Sequence, residues 1–288
     1  MPAGMRGREG NRKKKLLGLV ACVATLALSG ALLAGCSGSG DKTGGDSADG
    51  KETLTVGFDQ SYPPYGFVGD DGKFTGFDLD LAQAVCDKNG WELKLSAIDW
   101  DAKDALLAQG NINCIWNGFT MEGREDGYTF SDPYMLNEQV IVVKAGSDIS
   151  DFAGLSGKTV MTQVDSAALD VLEGDQAEVA ATFKGGAAQT IGDYNNAFMQ
   201  LDSGMIDAVA CDLSIAQYQI AANPDKYVQL STPLSTEHYA VGFKKGDTEL
   251  AQKVTETLKQ LDADGTVKQL CEKYANYGIS YDNWVLGK

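Results

Sequence analysis

The chain has 288 residues, enough for one large or two modest domains. It carries 24 lysines and arginines against 40 aspartates and glutamates, a formal net charge of −16 at pH 7. Residues 1–35 hold six of the cations and one acid, so the remainder has 18 cations, 39 acids and a net charge of −21. Such a surface repels nucleic acids and anionic lipids, which excludes nucleic acid as a partner.

The N-terminus has the pattern of a secretory signal. A basic segment at 1–15 precedes an apolar run at 16–35, and that run stops at Cys36. The stretch "LAGC" at 33–36 resembles the bacterial lipoprotein box, in which the cysteine is lipidated and becomes the new N-terminus. The alternative is an uncleaved membrane anchor, because the run is about long enough to span a bilayer. The cysteine favours a signal peptide at 1–35 and lipidation at Cys36.

A flexible tether follows at 36–52. Its sequence "SGSGDKTGGDSADGKE" at 37–52 has no large apolar residue, and this mixture of Gly, Ser and Asp cannot bury enough surface to become ordered. The N-terminal segments together predict an extracytoplasmic protein that a lipid anchors to the cell membrane.

Strand-like and helix-like segments then alternate. The pattern predicts strands at 53–58, 91–97 and 112–116, with helices at 76–90 and 101–110 that each end at a glycine. This β-α order predicts a parallel sheet with helices on its faces.

A second set of elements begins after an extended run at 139–146. The pattern predicts strands at 157–162, 177–183, 205–211, 227–230 and 238–246, and helices at 166–174, 193–204, 213–223, 247–262 and 264–275. Extended runs at 139–144 and 236–243 separate the two sets. If both runs are connections, the C-terminal helices return to the first set.

The predicted architecture is therefore two α/β lobes joined by two strands. The first lobe comprises 53–142 and 236–288, and the second comprises 143–235. Open α/β sheets bind ligands beyond the carboxyl ends of their strands, so a cleft between the lobes is the expected site.

Five stretches in this order resemble a known family. They are "VGFDQSYPPYGF" (56–67), "GKFTGFDLDLAQAV" (72–85), "NGFTMEGRED" with "YTFSDPY" (117–134), "GKTVMTQVDSAALD" (157–170) and "DAVACDLSIAQY" (207–218). The chain from 53 to 288 is similar to the extracytoplasmic solute-binding proteins of ABC importers, in the branch for polar amino acids. The resemblance implies an α/β fold of two lobes with mixed sheets and a two-strand hinge, the type II periplasmic-binding-protein architecture. It also implies a monomer that delivers a free amino acid to an ABC permease with its ATPase.

The resemblance assigns the ligand's α-carboxylate to a Gly-x-Thr turn and the arginine after it. Gly118 would offer backbone N–H, Thr120 its hydroxyl and Arg124 a bidentate guanidinium. The family has one more residue between the threonine and the arginine, so this loop is tighter. The alternative is an Arg124 paired on the surface with an acid at 122–126.

Asp212 matches the family's amine-binding carboxylate at a strand end. The alternative is an N-cap for the helix at 213–223, a position that suits aspartate. The second lobe also matches at Gln163, Ser166 and Ala167, where a helix start would aim N–H groups at the carboxylate.

The ligand's side chain is expected to meet the first lobe. By the resemblance, Tyr62 and Trp100 sandwich the aliphatic stem, and Asp59 contacts a polar or cationic tip. Trp100 in the core is the alternative. Asp165 stands where the family has glycine, and its charge would favour a cationic ligand if it faced the cleft.

Four cysteines remain after Cys36. Export permits disulfides, and we expect Cys86 and Cys114 to be bonded, because a helix covering the first sheet would bring them together. Cys211 and Cys271 are expected to be reduced and buried. The spacing fits no zinc pattern and the chain has a single histidine, so the sequence predicts no metal and no cofactor.

Two other functions use the same fold. A dehydratase-type enzyme would need a further acid or base in the cleft, and both Asp59 and Asp212 are explained by ligand charge. A sensory lipoprotein would have the same cleft chemistry. Binding for transport remains the leading interpretation, and the protein is expected not to be an enzyme.

Overall fold

A computed structural model describes residues 51–288. The predicted signal peptide, Cys36 and almost all of the tether lie outside the described residues.

The described chain alternates short strands with helices. The strands are β1 (Thr53–Phe58), β2 (Ser61–Tyr62), β3 (Gly66–Val68), β4 (Phe74–Thr75), β5 (Glu92–Ala97), β6 (Cys114–Ile115), β7 (Tyr128–Phe130), β8 (Met135–Lys144), β9 (Val160–Gln163), β10 (Gln189–Ile191), β11 (Ala208–Asp212), β12 (Tyr227–Gln229), β13 (Ser235–Tyr239) and β14 (Gly242–Lys244). The helices are α1 (Phe77–Asn89), α2 (Lys103–Gln109), α3 (Ala167–Glu173), α4 (Ala177–Ala180), α5 (Tyr194–Ser203), α6 (Leu213–Ala222), α7 (Thr248–Ala263) and α8 (Thr266–Lys273). Between 51 and 288, none of the helices combines the length and the apolar character needed to cross a membrane.

Two of the predicted helix ends are set by glycine. Gly90 and Gly110 follow α1 and α2 with φ of 72° and 75°, and their N–H groups return to carbonyls of the last turn. A side chain would strain this left-handed conformation, which explains why these helices stop where the sequence pattern places their ends.

The first sheet has the strand order β5-β1-β6-β14-β7. Strand β1 pairs in parallel with β5 and β6, whereas β14 is antiparallel to β6 and β7. Helices α7 and α8 pack against α1, so the C-terminal segment completes this part of the fold. We call this sheet, with α1, α2, α7 and α8, the first lobe.

The second sheet has the order β10-β9-β11-β8-β12, and β13 also pairs with β8. Strand β8 is antiparallel to β11, β12 and β13, while β9 is parallel to β10 and β11. We call this sheet, with α3 to α6, the second lobe. Both sheets are mixed, and a small third sheet, β2-β3-β4, adjoins α1.

Strands β8 and β13 run side by side between the lobes. Their register begins at Met135 opposite Tyr239 and ends at Gln139 opposite Ser235. The buried apolar core continues from the first lobe through Tyr62 and Tyr239 to Tyr194 of α5, so the lobes are in contact. This pairing connects the lobes as a two-strand hinge, at 135–139 and 235–239 rather than at the predicted runs 139–144 and 236–243.

One predicted strand is wrong. Residues 177–183 contain the short helix α4, and the strand of this region is β10, at 189–191. Strand β10 lies at the edge of its sheet, and its three residues are exposed or only half-buried. It therefore lacks the apolar pattern by which strands such as β1 and β11 were recognised.

The predicted Cys86–Cys114 disulfide is not formed in the structure, where both residues are buried free thiols, as are Cys211 and Cys271. Burial raises the pKa of Cys86 to about 12, and the pKa of Cys114 is also raised by burial, with Cys86 as the next contributor. The two thiols are therefore neighbours, but in an apolar core they stay protonated and unreactive.

Candidate ligand-binding site

Asp212 lies at the end of β11 and is 4% exposed. Its Oδ1 accepts hydrogen bonds from Gln139 Nε2 at 2.7 Å, Tyr239 OH at 2.7 Å and Asn137 Nδ2 at 3.0 Å. Asp212 occupies the N-cap position of α6, yet its side chain makes no capping hydrogen bond. The helix-cap alternative therefore does not account for this carboxylate.

A second buried acid, Glu237, lies beside Asp212. Its Oε1 accepts from Thr120 Oγ1 and Gln139 Nε2, both at 2.7 Å, and from Asn137 Nδ2 at 2.9 Å. The β-sheet register explains the arrangement, because Gln139 is opposite Asp212 and Asn137 is opposite Glu237. Residues 137 and 139 share one face of β8, so both amides reach both acids.

Sequence reasoning missed Asn137, Gln139 and Glu237. A signal was present, because two amide residues alternate within a strand that is apolar from Val140 to Val143. Alternation shows that the two amides share a face, but the sequence does not show which acids lie opposite them.

Burial dominates the electrostatics of this cluster. It raises the pKa of Asp212, and burial together with Asp212 raises the pKa of Glu237 to about 7. Burial and the Asp212 charge also raise the pKa of Tyr62 and Tyr239 well above the ordinary value. The phenols therefore remain neutral donors beside two acids.

The Gly-x-Thr turn is built differently from the prediction. Gly118 has φ of 58°, and its N–H donates to Asp78 Oδ2 at 2.6 Å, so this N–H does not serve as the predicted carboxylate donor. A Cβ on Gly118 would lie 3.0 Å from the Tyr239 ring and 3.2 Å from that of Tyr62. Only glycine fits between the two rings without displacing them. The Thr120 hydroxyl donates to Glu237.

Arg124 contacts the second lobe and not the acids of its own loop. Its side chain is 11% exposed, and Nη2 lies 2.8 Å from Asp170 Oδ2 and 3.2 Å from the carbonyl of Asp165. Nη1 donates to the Thr120 carbonyl at 3.4 Å. The alternative of a local surface pair is therefore wrong, and Arg124 lies where the two lobes meet.

The structure explains Asp165. Its φ is 54°, a left-handed conformation that accounts for glycine at this position in the family. Its carbonyl accepts from Trp100 Nε1 at 3.1 Å, and its carboxylate lies 3.4 Å from Nζ of Lys103, whose side chain is 4% exposed. Lys103 thus balances the charge of Asp165, so Asp165 gives no preference for a cationic ligand.

Asp59 joins the lobes at another point. It is 6% exposed, accepts from the Ser61 N–H at 2.7 Å, and accepts from Gln163 Nε2 of the second lobe at 2.7 Å. Burial raises the pKa of Asp59, and the charges of Asp193 and Asp99 raise it further. This end of the interface is acidic.

The two aromatic residues of the predicted sandwich have other partners. The Tyr62 ring lies 6.1 Å from that of Tyr194, and the Trp100 ring packs edge-on against Phe119 at 5.6 Å. Tyr194 of the second lobe, rather than Trp100, is the aromatic neighbour of Tyr62 across the interface. Trp100 is 8% exposed, as expected for the core alternative, although its indole N–H reaches the second lobe.

The remaining predicted residues surround the start of α3. Ser166 caps this helix by accepting from the Leu169 N–H at 3.2 Å, and its hydroxyl also lies 3.1 Å from that of Thr162. Ala167 begins the helix and is buried. The predicted residues of the second lobe thus lie on one side of the interface and Asp59, Thr120 and Arg124 on the other.

Comparison with known proteins identifies the family. The family of bacterial extracellular solute-binding proteins, family 3, matches residues 54–277. The L-cystine-binding protein TcyJ of Escherichia coli (strain K12) is 30% identical over 225 residues, which cover 77% of this chain and 82% of that protein.

Solved structures share the fold. A substrate-binding protein of an ABC uptake transporter from Streptococcus pneumoniae, with bound histidine, has a TM-score of 0.76 and 34% identity over 80% of this chain and 94% of that one. An ancestral arginine-binding protein bound to arginine is also among the similar structures, with a TM-score of 0.71 and 34% identity, covering 77% of this chain and 97% of that one. An ancestral amino-acid-binding protein described as a precursor of cyclohexadienyl dehydratase has a TM-score of 0.69 and 30% identity, covering 77% and 95%. The relatives are thus mostly binding proteins.

Taken with the mixed two-lobed fold, these matches show that the chain belongs to family 3 of the bacterial extracellular solute-binding proteins, the amino-acid-binding components of ABC importers.

Proposed function

We propose that this protein captures a free polar or cationic amino acid in the interlobe cleft and delivers it to an ABC permease with its ATPase. One observation carries the proposal: Asp212 is a buried carboxylate at the hinge, and every hydrogen-bond donor to it from the described residues is neutral. A buried acid without a cationic partner is costly, and an α-ammonium would supply the missing charge.

Arg124 is our candidate for the ligand's α-carboxylate. Its present partner, Asp170, has a side chain that is 59% exposed, so this ion pair is weak and Asp170 returns to water at little cost. A ligand carboxylate would then take a bidentate position on the guanidinium. Thr120 and the start of α3, with Gln163, Ser166 and Ala167, complete the proposed contact. Gly118 contributes indirectly, because its lack of a side chain leaves room for the rings of Tyr62 and Tyr239.

The acidic end at Asp59 suggests the class of side chain. Gln163 Nε2 lies 2.7 Å from Asp59 and also donates to the Gly192 carbonyl at 2.9 Å. A cationic or amide tip could replace this amide as the donor, whereas an acidic tip would meet a like charge. The relatives named for cystine, histidine and arginine agree with a polar or cationic ligand. Tyr62 and Trp100 remain candidates for contact with the stem.

We further propose that the protein is a monomer that a lipid on Cys36 anchors to the outer side of the cell membrane. The sequence "LAGC" and the tether at 36–52 support this proposal. A variant with Cys36→Ala should move from the membrane fraction to the soluble fraction. Membrane retention of that variant would instead favour the uncleaved anchor.

A dehydratase-type enzyme is the second candidate. Glu237 favours it, because an acid with a pKa of about 7 is suited to proton transfer, and one similar structure is described as a dehydratase precursor. We propose that the protein is not an enzyme, since its relatives are mostly binding proteins. Incubation with amino acids and cyclohexadienyl acids, followed by mass spectrometry, should return each compound unchanged. A new dehydrated product would establish the enzyme. A sensory role would use the same cleft.

Calorimetry of the folded body, 51–288, tests the binding function. Arginine, lysine, histidine and glutamine should bind more tightly than leucine or glutamate. Agmatine, which is arginine without its carboxylate, is the matched control and should bind at least about tenfold more weakly, since it loses charged hydrogen bonds of roughly 1.5–3 kcal/mol each. Absence of binding by any common amino acid would reject the proposal.

A further inference from the structure

Asp212 and Glu237 are close enough to oppose each other's ionisation. Asp212 Oδ1 and Glu237 Oε1 both lie 2.7 Å from Gln139 Nε2, so they are at most about 5.4 Å apart, a range in which like charges interact strongly. Both also accept from Asn137 Nδ2. The two acids therefore share two neutral donors and lie on opposite sides of the central hinge strand β8.

Every element around the pair contributes a neutral group. The titratable groups that interact with it are Tyr62 of β2, Tyr65 just after that strand, Tyr194 of α5, Tyr239 of β13 and Cys211 of β11, all with raised pKa values. The Thr120 hydroxyl, which does not titrate, donates a hydrogen bond to Glu237. No lysine, arginine or histidine among residues 51–288 contacts either carboxylate.

The basic side chains next to the pair contact other groups. Arg124 reaches the Thr120 carbonyl rather than Glu237. His238 follows Glu237 but pairs with Glu122 at 2.7 Å. Asp78, another buried acid, raises the pKa of Tyr65 and accepts hydrogen bonds from the Gly118 N–H and the Tyr134 hydroxyl. The pair thus lacks one positive charge, and a proton or a ligand cation must supply it.

We propose that Asp212 and Glu237 form a composite ammonium subsite that carries one shared proton and exchanges it for the α-ammonium of the amino acid. The proton passes to solvent, and the two carboxylates then face one ammonium. This inference rests on the proposed function and adds to it Glu237 and a coupled proton. Gln139 Oε1 supports it, because this buried acceptor has no hydrogen-bond partner among the described residues and offers a further contact to an ammonium.

The sign of the pH dependence follows from linkage. Burial and the Asp212 charge raise the pKa of Glu237 to about 7, and a bound ammonium must lower it. Below pH 7 the proton has to leave before the ligand binds, so affinity is highest above pH 7 and falls as the pH falls. If bound arginine lowers the pKa of Glu237 well below 6, arginine should bind about tenfold more weakly at pH 6 than at pH 8.

Calorimetry in phosphate and Bis-Tris buffers, which differ in ionisation enthalpy, counts the released protons. Arginine is the probe, because its carboxylate and guanidinium keep their charges between about pH 5 and 8 and its α-ammonium is protonated at about pH 6.5, where protons are counted. At pH 6.5 the wild-type protein should release more than about half a proton per arginine. Glu237→Gln should release almost none and show a flat pH profile. Glu122→Gln, which removes an exposed acid from the neighbouring ion pair, should behave as the wild type. No release by the wild type, or undiminished release by Glu237→Gln, would overturn the proposal.

A carboxyl NMR titration of Glu237 in the wild-type protein gives an independent result if the variant does not fold. A midpoint near 7 that falls below about 5 with arginine supports the shared proton, whereas a midpoint near the ordinary 4.5 overturns it. The titration without arginine separates the two proposals. If no amino acid binds at pH 8, the proposed function fails, and the midpoint still decides whether the pair shares a proton.

Discussion

Replacing Lys103 with methionine should stabilise the protein, although it removes an ion pair between the lobes. The ammonium lies 3.4 Å from Asp165, and the lysine side chain is 4% exposed while that of Asp165 is 51% exposed. The attraction is about 5 kcal/mol at an effective dielectric constant of 20, and nearer 1 kcal/mol with the screening that a half-exposed partner allows. Burying an ammonium costs several kcal/mol. Desolvation therefore wins, in agreement with the lowered pKa of Lys103, whose largest cause is burial.

The expected gain is about 1 kcal/mol, because methionine fills the same space without the charge. For a body of this size that gain raises Tm by about 2–4 °C. Asp165→Asn is the matched variant, since asparagine tolerates the left-handed φ of 54° and leaves the ammonium unpaired. It should lower Tm by a similar amount. Scanning calorimetry of both variants and the double variant measures the coupling between the two side chains.

The pH dependence gives a second check on Lys103. Its pKa is lower in the folded protein than the ordinary 10.5, so in the alkaline range between these two values the unfolded chain binds more protons. The wild-type protein should therefore gain stability relative to Lys103→Met as the pH rises through that range. A methionine variant that unfolds at a lower temperature than the wild type would show that the ion pair outweighs its desolvation, which would refute this reasoning.

Three substitutions test the proposed ligand contacts. Arg124→Ala should lose at least about tenfold in amino-acid affinity by calorimetry with an unchanged circular dichroism spectrum, because it removes a charged hydrogen-bond partner; wild-type affinity would exclude Arg124 from the site. Asp212→Asn should weaken α-amino acids more than their deaminated analogues, and equal losses for both would mean that Asp212 meets no ammonium. Asp59→Asn should reduce the preference for arginine over glutamine in competition binding and leave the α-carboxylate contact unaffected; an unchanged preference would place the side-chain tip elsewhere.

Elements with a strong apolar pattern and a clear end were predictable from the sequence. Strand β1 and helix α1 are found at 53–58 and 77–89, close to their predicted bounds, because burial and a terminal glycine act locally. The edge strand β10 was missed, because a half-exposed strand is stabilised by pairing with β9 and carries no apolar pattern of its own.

The site was less predictable than the fold, because its partners come from distant segments. Asp212 was recognised from its strand end, yet its donors at 137 and 139 and its neighbour Glu237 depend on the register of β8 with two other strands. Nothing in the helical pattern around Lys103 predicts a partner for it. Its ion pair with Asp165, at 3.4 Å, is evident only from the structure. Contacts between lobes depend on how the lobes close, which local patterns do not encode.

Two kinds of buried acid can be separated by their donors. Asp78 belongs to the recognisable "GFDLDL" stretch, and its oxygens accept from the Gly118 N–H and the Tyr134 hydroxyl with no second acid sharing those donors. It therefore fixes the turn that carries Gly118. Asp212 and Glu237 instead share donors with each other, so neutral hydrogen bonds alone do not relieve their repulsion. Burial raises the pKa of Asp78 to about 7 as well, but repulsion between two acids is added only at the second kind, and it is there that a ligand's ammonium would stabilise the closed protein.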